Sequence, residues 1–331
     1  MVAGPAEKLK TRTGLPRVGV VGGGDRSSAR GCAPVRPRRR EPALPYRHAR
    51  PPPTPRSSRA SRGRLPWRPM AARRLPEGPA PDPAVMRLRV RYAKRGRMRF
   101  TSTRDFQRAL ERAVRRAGLP VAFSAGFHPH PKISYANAAP TGTASEAEYV
   151  EVSLTRRVDP DEVVQVLDEA LPDGLDVVEV ADAASLPGAL ADHLQGSLWA
   201  LRLRGYTGSG GGGPSSADGA VDPRSVRQAV EAVLATEELT VTRMMKKGPR
   251  ELDVRAAVLG MEVAGGPVAA VPAGPGDVVV LAAVRHTVPT VRPEELWTAL
   301  SRAAGTDLPR PLATRLRQGP VVGDRVVDPP G

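Results

Sequence analysis

The pattern of hydrophobic and polar residues becomes regular about a quarter of the way along the chain. There Leu88, Val90 and Tyr92 are separated by arginines, and this period of two predicts a half-buried β-strand. An amphipathic helix is predicted next, because apolar residues recur every three or four positions between a hydroxyl cap at Ser102 and a glycine stop at Gly118. The chain therefore begins its regular structure with a strand followed by a helix.

The same reasoning divides the rest of the chain into strands and helices. Predicted helices begin at Asp159-Pro160, Asp222-Pro223 and Pro293. Predicted strands cover residues 121–124, 132–136, 148–154, 175–180, 198–203, 239–245, 251–256 and 277–285. Both halves thus run β-α-β-β-α, which predicts an α+β protein of tandem ferredoxin-like (β-α-β-β-α-β) domains, with antiparallel sheets and helices on one face.

Residues 1–85 are rich in proline and arginine and lack a hydrophobic period, so we expect a disordered leader. Two interpretations of it stay open: an organellar transit peptide, and a true start at Met86 with the upstream codons not translated. We expect three further segments: a first domain at 86–184 with a basic helix and a His-Pro loop, a second domain at 185–305 with a Gly-rich linker at 205–222, and an irregular tail at 306–331.

The net charge of +16 is unevenly distributed. Residues 86–132 carry 13 Lys and Arg against 2 Asp and Glu, whereas residues 133–331 carry 18 against 27. Arg104, Arg108, Arg112 and Arg116 recur every four residues, opposite the apolar stripe of the first helix.

Arginine suits two-pronged contact with phosphate, which favours nucleic acid as the partner of this basic segment. The competing interpretation is a solvated helix face. We expect Arg97, Arg99 and the strand arginines just upstream to join the helix arginines on one surface. The candidate nucleic-acid-binding residues are Arg97, Arg99, Arg104, Arg108, Arg112, Arg116, Phe127, His128, His130 and Lys132.

The segment Ser124–Ser134, SAGFHPHPKIS, holds two of the five histidines of the chain. Its prolines predict a stiff, extended loop. Stacking of a nucleobase on Phe127 and His128, with Lys132 on a phosphate, is one interpretation. Histidine acid–base catalysis on RNA and a purely structural loop are two others.

A metal site is a further interpretation of the two loop histidines, and it needs a third ligand. Glu146, Glu148, His193 and His286 are the candidates for that ligand. Glu148 is also expected to pair with an arginine at the rim of the core. We assign no metal and no cofactor.

Several classes of protein are excluded by what the sequence lacks. The single cysteine, Cys32, lies in the leader, which excludes an iron–sulfur cluster, a thiolate zinc site, a disulfide and a cysteine nucleophile from residues 86–331. No phosphate-binding Gly-x4-Gly-Lys loop, dinucleotide fingerprint, Gly-x-Ser-x-Gly elbow or His-Glu-x-x-His helix occurs. No long apolar run occurs either, so we expect no membrane partner and a cytoplasmic location.

One long segment resembles a known family of proteins. It reads RYAKRGRMRFTSTRDFQRALERAVRRAGLPVAFSAGFHPHPKISYANAAPTGTASEAEYVEVSL. It is similar to the radical-SAM-associated domain, which is fused behind cobalamin-binding radical S-adenosylmethionine modules or stands alone in an actinobacterial form. The resemblance covers residues 86–290, and GFHPHPKIS is its most specific part. In that family a histidine often stands where this chain has Thr103.

The resemblance implies a partner role beside a radical SAM enzyme, or a role in an RNA-related process alongside a ribonuclease. The chain lacks a CxxxCxxC motif, so it is not itself the radical enzyme. We therefore expect a non-catalytic RNA-binding accessory protein of a radical SAM, RNA-processing or translation pathway. The alternatives are a histidine-dependent RNA-processing enzyme, with His128 and His130 as catalytic residues, and a protein-interaction module that presents substrate to a separate radical SAM enzyme.

Overall fold

A computed structural model describes residues 81–184, 188–205, 221–246 and 248–329 of the chain. These residues all lie within one compact unit, Met70–Gly331. The predictions of a disordered leader and of a Gly-rich linker concern residues that, for the most part, lie outside the described ranges.

The first half of the described chain contains four strands, two α-helices and a 3-10 helix. In chain order these are β1 (Met86–Lys94), the 3-10 helix (Gly96–Phe100), α1 (Thr103–Arg116), β2 (Ile133–Tyr135), β3 (Ala144–Leu154), α2 (Pro160–Ala170) and β4 (Leu175–Asp182). The strands pair antiparallel in the order β4-β1-β3, and β2 pairs with β3. The helix starts were predicted correctly: Ser102 Oγ accepts the backbone N–H of Asp105, and Asp159 caps α2.

The second half repeats this order and adds a hairpin. Its elements are α3 (Leu190–His193), β5 (Gly196–Leu203), α4 (Pro223–Ala235), β6 (Thr240–Met245), β7 (Gly248–Asp253), α5 (Val254–Ala257), β8 (Val258–Val263), β9 (Val278–Arg285), α6 (Pro293–Ala304), β10 (Leu312–Gly319), β11 (Val321–Val322) and β12 (Arg325–Val326). The main strands pair antiparallel in the order β10-β5-β9-β8, while β6 and β7 form a separate hairpin.

The two halves share one eight-stranded sheet because β10 pairs with β3. This contact is parallel and matches Thr314 with Ala144 and Arg315 with Ser145. Every other pairing in the sheet is antiparallel. The protein is therefore of the α+β class, with a mostly antiparallel sheet. We call the meeting line of β3 and β10 the seam.

Two sequence predictions are corrected by the strands. The tail predicted to be irregular, residues 306–331, contains β10, which lies in the middle of the sheet. The strand predicted at 251–256 ends at Asp253, because its carboxylate accepts the backbone N–H groups of Arg255 and Ala256 and starts the short helix α5. Propensity favoured a continuous strand, and a local helix cap overrode it.

Each half buries its own apolar cluster between the sheet and its helices. In the first half, Leu88, Val90 and Val150 of the sheet pack with Leu110 of α1 and Leu167 of α2. The second cluster is formed in the same way from alternate residues of β5 and β9 and from α4 and α6, and it includes Trp199, Leu201, Leu203, Val280, Val230 and Leu296. Since side chains alternate across a strand, the residues between these point to the opposite face of the sheet.

Candidate nucleic-acid interface and the polar seam

The outer face of α1 is a row of arginines. Arg104, Arg108, Arg112 and Arg115 are exposed and lie opposite the buried stripe that contains Phe106. Among the described residues, their ion pairs are long and solvent-exposed: Arg108 to Asp105 and Arg115 to Glu111, both at 4.0 Å. Pairs of this kind contribute little to stability, so the guanidinium groups are available to another anion.

The remaining predicted arginines lie at the ends of this row. Arg116 turns toward α2, where its Nη1 donates to the carbonyl of Ala170 at 3.1 Å. Arg97 is exposed in the 3-10 helix, and the Arg99 guanidinium lies 4.6 Å over the ring of Phe100. The 14 residues of α1 extend about 21 Å between these two ends.

The strand arginines do not join this surface. Arg87, Arg89 and Arg91 alternate with the core residues of β1 and point to the opposite face of the sheet. Arg89 Nη2 lies 2.8 Å from Glu151 Oε1, and both side chains are 4% exposed. Arg95 is bound by two carboxylates. The expectation of one surface for all early arginines is therefore wrong, and the basic face is limited to the 3-10 helix and α1.

The His-Pro loop is the tip of a short hairpin at the edge of the sheet. The N–H of Ser124 donates to the carbonyl of His130 at 2.8 Å, and the N–H of His130 donates to Ser124 Oγ at 3.0 Å. Phe127, His128, His130 and Lys132 are all exposed. Among the described residues, no group of three or more His, Cys, Asp or Glu is placed to hold a metal ion.

Exposed aromatic rings accompany the basic face. Phe100, Phe123 and Phe127 are 59%, 42% and 66% exposed, whereas Phe106, the fourth phenylalanine of the chain, is 5% exposed. Phe100 lies just before α1, and the other two lie on the hairpin that follows it. Rings of this size are usually buried, so the three exposed rings are candidate binding residues.

A groove of about 770 Å³ opens beside the start of α1, between the two halves. We call it the helix-side groove. Its first-half lining includes Arg99, Phe100 and Thr103, and the second half adds Arg292 and Arg310. Glu294 also lines the groove and pairs with Arg310 at 2.9 Å. Of the described lining residues, Arg99 and Arg292 therefore supply the uncompensated cationic part of its walls.

The seam holds a buried ion pair of which only one member, Glu148, could be predicted from the sequence. Glu148 was expected to pair with an arginine, and the Arg315 Nη1 atom does lie 2.9 Å from its Oε1. The pair is buried rather than at the rim, since the two side chains are 5% and 2% exposed. Arg315 also donates to Gln318 Oε1 and lies 4.6 Å over the ring of Trp199. The sequence did not identify Arg315 as the partner of Glu148, because residues 306–331 are predicted to be irregular.

Two further ionisable groups line the seam. Burial lowers the pKa of Lys94, although the nearby carboxylate of Glu148 opposes the shift. Burial, reinforced by the charge of Arg315, lowers the pKa of His286 to about 4. His286 is therefore neutral at pH 7: its Nδ1–H donates to the carbonyl of Leu194 at 2.7 Å, and its Nε2 accepts from the Ser197 hydroxyl at 2.8 Å. His286 was a candidate metal ligand in the sequence, and here both of its ring nitrogens bind protein atoms.

The fold and this surface define an α+β protein in which two halves share one sheet and one half presents an arginine row beside exposed aromatic rings. A family model described as an uncharacterised protein conserved in bacteria, DUF2344, matches residues 87–293. The chain belongs to this family. A search of curated proteins finds no match. None of the described helices is both long and apolar enough to cross a lipid bilayer.

Proposed function

We propose that the protein binds single-stranded RNA as a non-catalytic accessory factor. The observation that carries this proposal is the exposure of three of the four phenylalanines in the segments that flank α1 in the chain. Arginines attract the phosphates of any sequence, and exposed rings stack on unpaired bases. A surface with both features favours single-stranded nucleic acid over a duplex, whose bases are already stacked.

The parts of the surface have distinct roles in this proposal. Arg104, Arg108 and Arg112 hold successive phosphates, because they project from one face of a rigid helix. Phe127 and His128 meet a base at the hairpin tip, with Lys132 on the adjacent phosphate. The remaining candidates, Arg97, Arg99, Arg116 and His130, lie at the ends of the row and extend the contact. The helix-side groove receives the strand beyond Phe100.

The proposal extends to the fold of the two halves and to the cellular partners of the protein. The order β4-β1-β3-β2 in the first half, and the matching order β10-β5-β9-β8 in the second, support two ferredoxin-like domains in tandem. We place the protein in the cytoplasm, beside a radical SAM enzyme or a ribonuclease, as the sequence resemblance implies.

Salt-dependent RNA binding tests the proposal. The affinity of the full-length protein for a short, unstructured, fluorescent RNA is measured by anisotropy over a range of salt concentrations. Each phosphate contact contributes about 0.7 to the slope of log affinity against log salt. Arg108→Gln with Arg112→Gln is therefore expected to reduce that slope by about 1.4. Phe127→Ala is expected to weaken binding by about 1–3 kcal/mol without changing the slope.

A matched control removes the same charge elsewhere. Arg224 and Arg227 are exposed on α4, far along the chain from the arginine row, and their double change to glutamine alters the net charge equally. This control is expected to leave the slope within error of the unmodified protein. If both double variants lower the slope by the same amount, binding depends only on net charge and the proposed surface is wrong.

The enzymatic alternative is tested on the same RNA. The histidine-dependent enzyme predicts time-dependent cleavage that disappears in His128→Ala with His130→Ala while binding persists. The accessory role predicts intact RNA with either protein. Loss of RNA binding in all conditions, including low salt, would leave only the protein-interaction module that serves a separate radical SAM enzyme.

A further inference from the structure

A second cavity lies on the face of the sheet opposite the helices. It has a volume of about 720 Å³, within the usual range of small-molecule sites. We call it the sheet-face pocket. Arg202 and Leu312 are partners across β5 and β10 and point into it, while their neighbour Leu201 points into the helix-covered core. Arg99 and Ala144 line it from the first half, so the pocket bridges the seam.

The walls of the pocket are mainly apolar. The apolar lining residues include Val268, Val271, Pro272 and Leu312. The loop between β8 and β9 forms one wall, and it is held down because Val271 is 7% exposed and packs against the sheet. Ala270, in the same loop, has φ of +63°, a conformation that is rare for a residue with a side chain. A loop held in this way is a fixed wall for a ligand.

Two arginine donors in this pocket have no acceptor. The Nε atoms of Arg99 and Arg202 are both buried, and neither donates a hydrogen bond to any described residue. Asp277 Oδ2 lies 3.8 Å from Arg202 Nε, which is too far for a hydrogen bond. Buried donors are normally satisfied, so two unsatisfied Nε–H groups in one pocket indicate a missing acceptor.

The charge of the pocket also favours an anion. Arg95 lies in the lining, but Glu146 and Asp176 compensate its charge. Arg99 forms no ion pair with a carboxylate of the described chain, and Arg202 forms only the long contact to Asp277. One or two positive charges therefore remain in an apolar cavity. An oxyanion that accepts from a guanidinium there makes a charge-assisted hydrogen bond.

We propose that the sheet-face pocket binds a small amphipathic oxyanion. The apolar body of the ligand packs against Val271, Pro272 and Leu312, and its carboxylate or phosphate accepts from Arg99 Nε and Arg202 Nε. The site shares Arg99 with the proposed RNA surface, whereas Arg202, Val271 and Pro272 are not among the residues of that surface. It gives the protein a small-molecule ligand in addition to a macromolecular partner.

The arginine Nε–H groups themselves report on the site. Their ¹⁵N–¹H NMR signals are recorded for the full-length protein, and two of them are assigned by their loss in Arg99→Gln and Arg202→Gln. Phenylacetate and phenyl phosphate serve as the two oxyanion probes, and phenylacetamide serves as the neutral analogue. We expect saturable shifts of both assigned signals with at least one oxyanion and no saturable shift with the amide. The oxyanion with the higher affinity identifies the acceptor as carboxylate or phosphate.

Matched variants separate the site from general charge effects. Arg202→Gln is expected to weaken oxyanion binding at least tenfold, whereas Arg204→Gln, an exposed arginine just beyond β5, is expected to have no effect. Arg99→Gln provides a second test if Arg202→Gln fails to fold. The proposal is overturned if neither oxyanion gives a saturable shift, if the amide binds equally well, or if Arg204→Gln weakens binding as much as the pocket variants. RNA binding by Arg202→Gln is expected to be unchanged, so the two proposals fail separately.

Discussion

At the scale of single residues, the seam depends on one buried charge pair. Glu148 accepts two hydrogen bonds, one from Arg315 and one from the backbone N–H of Ala139 at 2.9 Å. Arginine keeps its charge even when buried. Removing only one partner therefore leaves an uncompensated charge, which costs far more than the net contribution of the intact pair.

We expect Glu148→Gln to lower the free energy of unfolding by about 3–5 kcal/mol. Combining it with Arg315→Met is expected to recover part of this loss, because the double variant no longer buries an unpaired guanidinium charge. Urea denaturation of the full-length protein measures both effects. Glu294→Gln is the control, since it breaks the exposed pair with Arg310 and is expected to cost at most about 1 kcal/mol. Equal losses of unfolding free energy for Glu148→Gln and Glu294→Gln would contradict the expected cost of breaking the buried pair.

A second residue makes the stability of the protein depend on pH. The pKa of His286 is about 4 in the folded protein, below the ordinary value of 6.5. Between these two values the unfolded chain binds more protons than the folded chain, so stability falls as the pH falls.

Because of His286, we expect the free energy of unfolding to fall by about 2 kcal/mol when the pH is lowered from 7 to 5. His286→Gln removes this titration and is expected to flatten that part of the curve. Chemical denaturation at several pH values measures the difference between the two proteins. Parallel curves would show that His286 is not held neutral.

At the scale of elements, the helices could be predicted from their capping residues. The strand β10 could not, because its buried side chains are polar. Ser102, Asp159 and Asp222 each cap a helix whose apolar stripe has a clear period, so α1, α2 and α4 could be read from local sequence. The β10 strand lacks the alternation of apolar and polar residues that predicts a half-buried strand. Its buried side chains are polar, namely Thr314, Arg315 and Gln318, so no apolar period marks the strand in the sequence.

Removing β10 is expected to have effects far from the end of the chain. A chain that ends at Asp307 lacks the strand that pairs with both β3 and β5. We expect rapid amide hydrogen exchange in β5, which is central in the complete sheet and becomes an unpaired edge. A chain that ends at Pro320 keeps β10 and is the control, and we expect it to retain slow exchange in β5. Equal protection of β5 in both chains would contradict a structural role for β10.

At the scale of the whole molecule, local sequence patterns predict the elements of each half but not the strand pairing that joins the halves. The α+β class follows from periods of two and 3.6 residues, which depend on neighbouring positions. The seam joins Ala144 to Thr314, and no local pattern reports a pairing across so many residues. For the same reason the arginine row on α1 could be predicted, whereas the sheet-face pocket could not, since its two unsatisfied arginines come from different halves.

The position of β10 has a consequence for how the protein is made. A ribosome synthesises the chain from the amino end, so β3 and β5 are made before β10. Until β10 emerges, β5 and the start of β3 are sheet edges, and their unpaired backbone N–H and C=O groups can pair with another molecule. The sheet joins its two halves only after β10 has been synthesised, so translation arrest between β9 and β10 is expected to produce an aggregation-prone product.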